Sequence, residues 1–115
     1  LGMQQFVQGW ISESRAEINA ARLMVLHAAW MIDTGQDARD WIAMVKVQAS
    51  EMLGRVVDRG VQLFGGMGFC KELPIERYYR DARIYRIYDG TSEIHRGVIA
   101  KSTLKKGAVL FDVNR

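Results

Sequence analysis

The chain has 115 residues, 49% hydrophobic and 25% charged, with a formal charge of only +3. That make-up suits one globular domain and excludes a disordered or fibrous chain. A single cysteine, Cys70, excludes an internal disulfide framework and a multi-cysteine zinc site. No apolar run reaches the ~18–20 residues that span a bilayer, and no signal-peptide pattern opens the chain.

The first third reads as one long helix. Val7, Ile11, Ser14, Ile18, Ala21, Val25, Ala28 and Ile32 step by four and three, with Glu13, Arg15, Glu17 and Arg22 off that stripe. Asp33-Thr34-Gly35 ends it, Gly35 suiting the left-handed position after a helix C-terminus. A second long helix starts near Asp37 as N-cap and carries Ile42, Val45, Ala49, Met52, Val56, Gly60 and Leu63 on one side, ending at Gly65-Gly66. The short connection makes the two an antiparallel pair. Residues 65–90 are the irregular part. Pro74 opens a short helical segment through about Ala82, and residues 84–88 alternate weakly. Thr91 caps a last helix that runs to Lys105-Lys106-Gly107, with cations in its final turn. Residues 108–115 read as a loose tail. The expected fold is therefore all-α, an up-and-down helical bundle over residues 1–107. Three main helices close a bundle poorly, and Trp10, Trp30 and Trp41 add apolar surface that needs a partner. A further helix is expected outside this chain or from another subunit.

Few residue constellations carry chemistry on spacing alone. Gly65-Gly66-Met67-Gly68 lacks the third glycine of a dinucleotide fingerprint and follows a helix, not a strand. It is still a place where backbone can approach a ligand, or simply a glycine-rich helix end. His27 and His95 are the only histidines, and neither has a second ligand at helical spacing, so no metal site is expected. Arg77, Arg80, Arg83 and Arg86 recur among Tyr78, Tyr79 and Tyr85, but Glu72, Glu76 and Asp81 compensate them. A salt-bridged, packed segment is the better reading than a nucleic-acid surface. Asp89-Gly90-Thr91 places a carboxylate on a turn directly before a helix N-terminus, where free amides and a positive partial charge favour an anion or an electron-rich atom. A lone carboxylate there can serve as a general base, or as ordinary turn chemistry.

The segment VQLFGGMGFCKELPIERYYRDARIYRIYDGTSEIHRGVIAKSTL resembles the C-terminal signature of the acyl-CoA dehydrogenases. It shares a glutamine before a glycine pair, a Pro-x-Glu-Arg-x-x-Arg-Asp-Ala run and an acid-Gly-Thr-Ser-Glu-Ile turn. LGMQQFVQ and AEINAARLMVLHAAW are similar to the long helix that opens this region of the family, so the likeness covers residues 1–106. It implies a C-terminal four-helix bundle behind an N-terminal helical domain and a middle β domain, in a homodimer or homotetramer that shares FAD sites between subunits. It also implies oxidation of an acyl-CoA thioester to the trans-2-enoyl-CoA, with FAD as cofactor and an electron-transfer flavoprotein as acceptor.

Position by position, the resemblance assigns Asp89 to the place of the catalytic glutamate. Tyr88 and Gly90 fall at substrate contacts, and Thr91, Ser92 and Glu93 at FAD contacts. Gln62, Leu63, Phe64, Gly65 and Gly66 fall where a neighbouring subunit's FAD is received, and Gln5 at a further FAD contact. The departure is Asp89 itself, one methylene shorter than glutamate; some members carry the base on an upstream helix instead. The resemblance places the protein in the bacterial cytoplasm or the mitochondrial matrix, and a chain without the upstream domains is expected to be inactive. The alternative is a non-catalytic helical oligomerisation or binding module on the same scaffold.

Overall fold

The computed structural model describes residues 1–107 and 109, so the expected tail at 108–115 lies, apart from Val109, outside the described residues. Five helices follow in order: α1 Gln5–Asp33, α2 Arg39–Phe64, α3 Gly66–Phe69, α4 Ile75–Ile84 and α5 Ser92–Lys106. No strand occurs among the described residues, in agreement with the all-α expectation.

Helix α2 is the hub. It packs against each of the other four, whereas α1 touches α2 alone. The α1–α2 pair is antiparallel. At one end the His27 and Trp41 rings meet at 4.2 Å in an edge arrangement. Further along, Arg59 donates to Glu17 Oε1 (3.0 Å) and Ser14 Oγ (3.2 Å), and Arg55 donates to Glu17 Oε2 (2.9 Å). Helix α5 also runs antiparallel to α2: Arg96 bonds Glu51, and Ser102 and Lys106 both reach Asp40. Helix α4 lies beside α2 with Ile75 against Gly60 and, just beyond the helix, Arg86 paired with Glu51 at 2.8 Å.

The core is built from small side chains: Val7, Ala21, Ala28, Ala38, Ala43, Val47, Val57 and Ala82. Small residues let helix axes approach closely, at the cost of little buried apolar area per residue. The stripe expected on α1 is accordingly only half covered. Val7, Ala21 and Ala28 are buried, but Ile11, Val25 and Ile32 on the same stripe are exposed, as is Trp30 at 53%. With only α2 against it, a wide apolar arc on α1 has one side left open.

Local chemistry explains most helix ends. Gly35 adopts φ +73 after α1, as its sequence position requires. Thr91 Oγ1 accepts from the Ile94 amide at 3.3 Å, capping α5, and Lys105 and Lys106 occupy its last turn. Asp37 does not stand at the N-cap of α2. That position is Ala38, and Asp37 sits one residue earlier, accepting from the Arg39 amide (3.2 Å) and side chain. The carboxylate thus still takes one first-turn amide while pairing with the guanidinium of the same residue. The weak alternation at 84–88 is not extended backbone: Ile84 ends α4, and the Ile87 and Tyr88 amides both bond back to Ile84 O. The glycine cluster is more ordered than its composition suggests, since Gly66–Phe69 forms a helical turn.

Candidate functional site

The Asp89-Gly90 turn is where the backbone departs furthest from ordinary geometry. Asp89 has φ +53, the only positive value at a non-glycine position among the described residues, and Gly90 follows at φ +86. Two successive left-handed residues are disfavoured for L-amino acids, and aspartate is among the few types that tolerate the region. The turn persists because its carbonyls are all engaged. Lys46 Nζ, from α2, donates to Tyr85 O (2.6 Å), Tyr88 O (2.9 Å) and Gly90 O (3.4 Å). His95 Nε2 donates to Asp89 O at 3.1 Å; because a carbonyl only accepts, this nitrogen carries the proton. The Ser92 amide closes the loop onto Arg86 O at 3.0 Å. Around it, Tyr85 and Tyr88 pack edge to face at 5.2 Å, and the Lys46 ammonium lies 5.6 Å from the Tyr88 ring centre.

Helix α5 begins directly after this turn. Thr91, Ser92 and Glu93 therefore share one place with Tyr88, Asp89 and Gly90. Asp89 and Glu93 are exposed, whereas Ser92 is 3% exposed and its Oγ has no hydrogen-bond partner among the described residues. Glu93 is held below the usual carboxylate range by its backbone bond at the helix start and by the Thr91 hydroxyl. Tyr88 is held above its ordinary value, first by partial desolvation of its phenol and then by Tyr85 beside it.

The second set of expected site residues lies elsewhere. Gln62, Leu63, Phe64, Gly65 and Gly66 form the far end of α2 and its exit. Lys46, which marks the level of the Asp89 turn, is sixteen residues earlier on α2, roughly 24 Å at 1.5 Å per residue. Gln5 belongs to the far end too, because Val7 of α1 and Leu63 of α2 line one apolar groove there. The structure thus gathers the expected residues into two groups and does not bring the groups together. At the far end Gly65 turns left-handed, φ +57, and a Cβ built on Gly65 or Gly66 would meet nothing within 4 Å. The space beside this backbone is open. Gly68 is the opposite: a Cβ there would lie 2.6 Å from Val61 O and 3.0 Å from Phe64 Cβ.

Several other expectations resolve plainly. Arg77 pairs with Asp81, Arg80 with Glu76 and Arg86 with Glu51, so three of the four arginines are salt-bridged as expected, but Arg77, Arg80 and Arg83 are exposed rather than packed. Cys70 is an exposed loop thiol. No described helix is long and apolar enough to cross a membrane. Of the two residues that hold the turn, Lys46 carries no signal in the sequence, and His95 is weighed there only as a metal ligand. Their acceptors are backbone carbonyls, which leave no side-chain signature to search for.

Fold and site define a class: an up-and-down helical domain that presents an acidic, left-handed turn at one level of its central helix and an open glycine turn at another. The sequence profile of the family described as acyl-CoA dehydrogenase, C-terminal domain, matches residues 1–104, and the chain belongs to that family. It is 45% identical to (R)-benzylsuccinyl-CoA dehydrogenase of Thauera aromatica over 93% of this chain and 27% of that protein. It is 42% identical to acryloyl-CoA reductase (NADH) of Anaerotignum propionicum over 89% of this chain and 26% of that protein. Identity to the mitochondrial short-chain specific acyl-CoA dehydrogenase of Bos taurus is also 42%, over 88% of this chain and 24% of that one. Among solved structures, butyryl-CoA dehydrogenase of Megasphaera elsdenii superimposes with a TM-score of 0.88 at 35% identity, covering 90% of this chain and 27% of the other. The chain spans about a quarter of the length of these relatives.

Proposed function

We propose that these residues are the C-terminal helical domain of an FAD-dependent acyl-CoA dehydrogenase, with Asp89 as the base that removes the α-proton of an acyl-CoA thioester. The observation that carries the reading is the Asp89-Gly90 turn. It is acidic, exposed, held in a disfavoured conformation by side chains from two helices, and set against the capped start of α5. Strain kept in place by surrounding contacts is what a positioned catalytic group needs.

In this reading the ionised Asp89 carboxyl accepts the α-proton, and Gly90, with no Cβ, lets the thioester approach the backbone. Bound FAD would supply the acceptor for the β-hydride, giving the trans-2-enoyl-CoA and passing electrons on to an electron-transfer flavoprotein. The residues present fit such a group. Ser92 Oγ is a buried hydroxyl without a partner among the described residues, beside Thr91 and Glu93, and the backbone at Gly65 and Gly66 has open space beside it next to Gln62, Leu63 and Phe64. The wide separation of the two groups supports the reading that they serve two different flavins, one of them a neighbouring subunit's, with Gln5 joining the second. The exposed Ile11, Val25, Leu26, Trp30 and Ile32 on α1 support a homo-oligomer in which that helix is covered. A relative 37% identical over 89% of this chain is a subunit of a caffeyl-CoA reductase–Etf complex, which supports the electron-transfer partner. Other relatives are named as reductases of acyl-CoA compounds, acryloyl-CoA and caffeyl-CoA.

The test uses the full-length protein. Flavin absorption that bleaches on anaerobic addition of an acyl-CoA, and loses that response in Asp89→Asn with flavin still bound, is expected. A colourless, inert protein would instead support the non-catalytic module, and an Asp89→Asn variant that bleaches normally would move the base elsewhere.

A further inference from the structure

Lysines on helix surfaces ordinarily send their ammonium into solvent or to a carboxylate. Lys46 does neither: it enters none of the ion pairs among the described residues. Its three donors meet three carbonyls of one loop, those of Tyr85, Tyr88 and Gly90, from 39 to 44 residues away in sequence. An ammonium has three N–H groups and no acceptor, so this set of contacts uses its full capacity. The position is chemically apt. Tyr85 is the C-cap of α4, where carbonyls lack helical partners and a cation is favoured. Tyr88 O and Gly90 O flank Asp89, the one non-glycine residue with positive φ among the described residues.

We infer that Lys46 is a positioning residue for the proton abstraction: its ammonium gathers the carbonyls on both sides of Asp89 and so fixes the backbone that carries the base. The inference rests on the assignment of Asp89 given above. His95 completes the clamp by holding Asp89 O itself. The shorter side chain at this position gives the clamp its importance. Aspartate reaches less far than glutamate, so its backbone has to be held where the carboxyl meets the α-proton, and a displacement on the order of 1 Å at a reacting centre costs about a hundredfold in rate. Arginine does not substitute freely, because its planar fork directs its N–H groups within one plane whereas these carbonyls converge on a single point.

The experiment compares the full-length, flavin-loaded enzyme with Lys46→Met, Lys46→Arg and Asp89→Asn, with rates expressed per bound flavin and kcat and KM separated. A second readout is uptake of solvent deuterium at the α-carbon of bound acyl-CoA. Lys46→Met is expected to lower kcat and deuterium uptake together by about a hundredfold with KM within about threefold, and Lys46→Arg to lower kcat about tenfold. A purely structural lysine would change flavin content and melting temperature but leave the rate per bound flavin untouched. That result in Lys46→Met would overturn the inference. If Lys46→Met retains no flavin, a wild-type kcat in Lys46→Arg would overturn it. Asp89→Asn separates the two levels. An inactive Asp89→Asn beside a fully active Lys46→Met refutes the positioning role alone, whereas an active Asp89→Asn refutes the base assignment and the inference with it.

Discussion

Replacing Gly68 by alanine puts one methyl group against helix backbone, in the tightest fit of the glycines described. The added Cβ would sit 2.6 Å from Val61 O, 3.2 Å from Val61 C and 3.0 Å from Phe64 Cβ. Ordinary contact between such atoms begins near 3.5 Å, so the overlap with the carbonyl is about 0.9 Å. Flexible side chains can swing away from a clash, but Val61 O is helix backbone, so α3 has to move instead. Overpacking of this kind costs about 1–3 kcal/mol, and the better helix propensity of alanine returns at most about 1 kcal/mol. With a rigid obstacle the upper half of the range applies, leaving a net loss of about 1–2 kcal/mol. Gly66→Ala is the matched control. The same methyl group two residues earlier meets nothing within 4 Å, at a backbone φ outside the positive region, and should leave stability unchanged or slightly raised. Thermal denaturation of the full-length protein followed by circular dichroism reads both, and Gly68→Ala should lower the melting temperature by about 2–4 °C, the shift per kcal/mol shrinking as the chain lengthens. Flavin content then separates packing from site: in flavin-free protein Gly66→Ala should keep wild-type stability, and on reconstitution it should take up less flavin if the open backbone is a binding surface. A Gly68→Ala protein as stable as wild type would refute the close-approach argument.

Three further outcomes follow. Gly90→Ala combines φ +86 with a Cβ 2.8 Å from His95 Nε2; steady-state assay should show kcat reduced at least about tenfold, since the change displaces the clamp on Asp89. Arg59→Met removes the link from α2 to Ser14, Glu13 and Glu17, leaving two α1 carboxylates facing an interface with only Arg55 to answer them. With Arg59 17% and Glu17 25% exposed, the loss lies between that of surface and buried pairs, about 1–2 kcal/mol in a denaturant titration. Burial alone would raise Glu17 and Asp40, but bonds from Arg59 and Arg55 to the first, and from Lys106 and Ser102 to the second, hold both below the usual carboxylate range. Depressed folded-state values mean that the unfolded chain binds more protons on acidification. Their contribution is therefore complete above about pH 5 and is lost as pH falls below about 4. Denaturation midpoints measured across pH 3–6 should fall on the acid side, and less steeply in Glu17→Gln.

The residues that make local structure were legible in the sequence. Thr91 announces its helix because a hydroxyl at the N-cap acts on an amide three residues away, and Gly35 announces the end of α1 because few other residues take its φ. The family signature was legible too, through the glycine pair, the arginine-rich run and the acidic turn. Asp37 misled by a single position: its carboxylate does take the Arg39 amide, but the helix begins at Arg39 behind Ala38. Ile11, Val25 and Ile32 misled in another way: periodicity reports which face is apolar, not whether another element of this chain covers it. Lys46 was beyond reach, since neither its distance in sequence from Tyr88 nor its carbonyl partners produce a pattern in side chains.

The central position of α2 turns it into a ruler. Lys46 sets the level of the acidic turn and Gly65 that of the open glycine turn, so their separation and relative bearing are written in the number of residues between them. One inserted residue in that interval would shift one turn by about 1.5 Å and swing it by about 100° around the helix axis relative to the other. The links at 34–38 and 70–74 carry no such constraint. Changes in chain length should therefore be tolerated in those links and refused in the middle of α2, even at positions that touch neither turn.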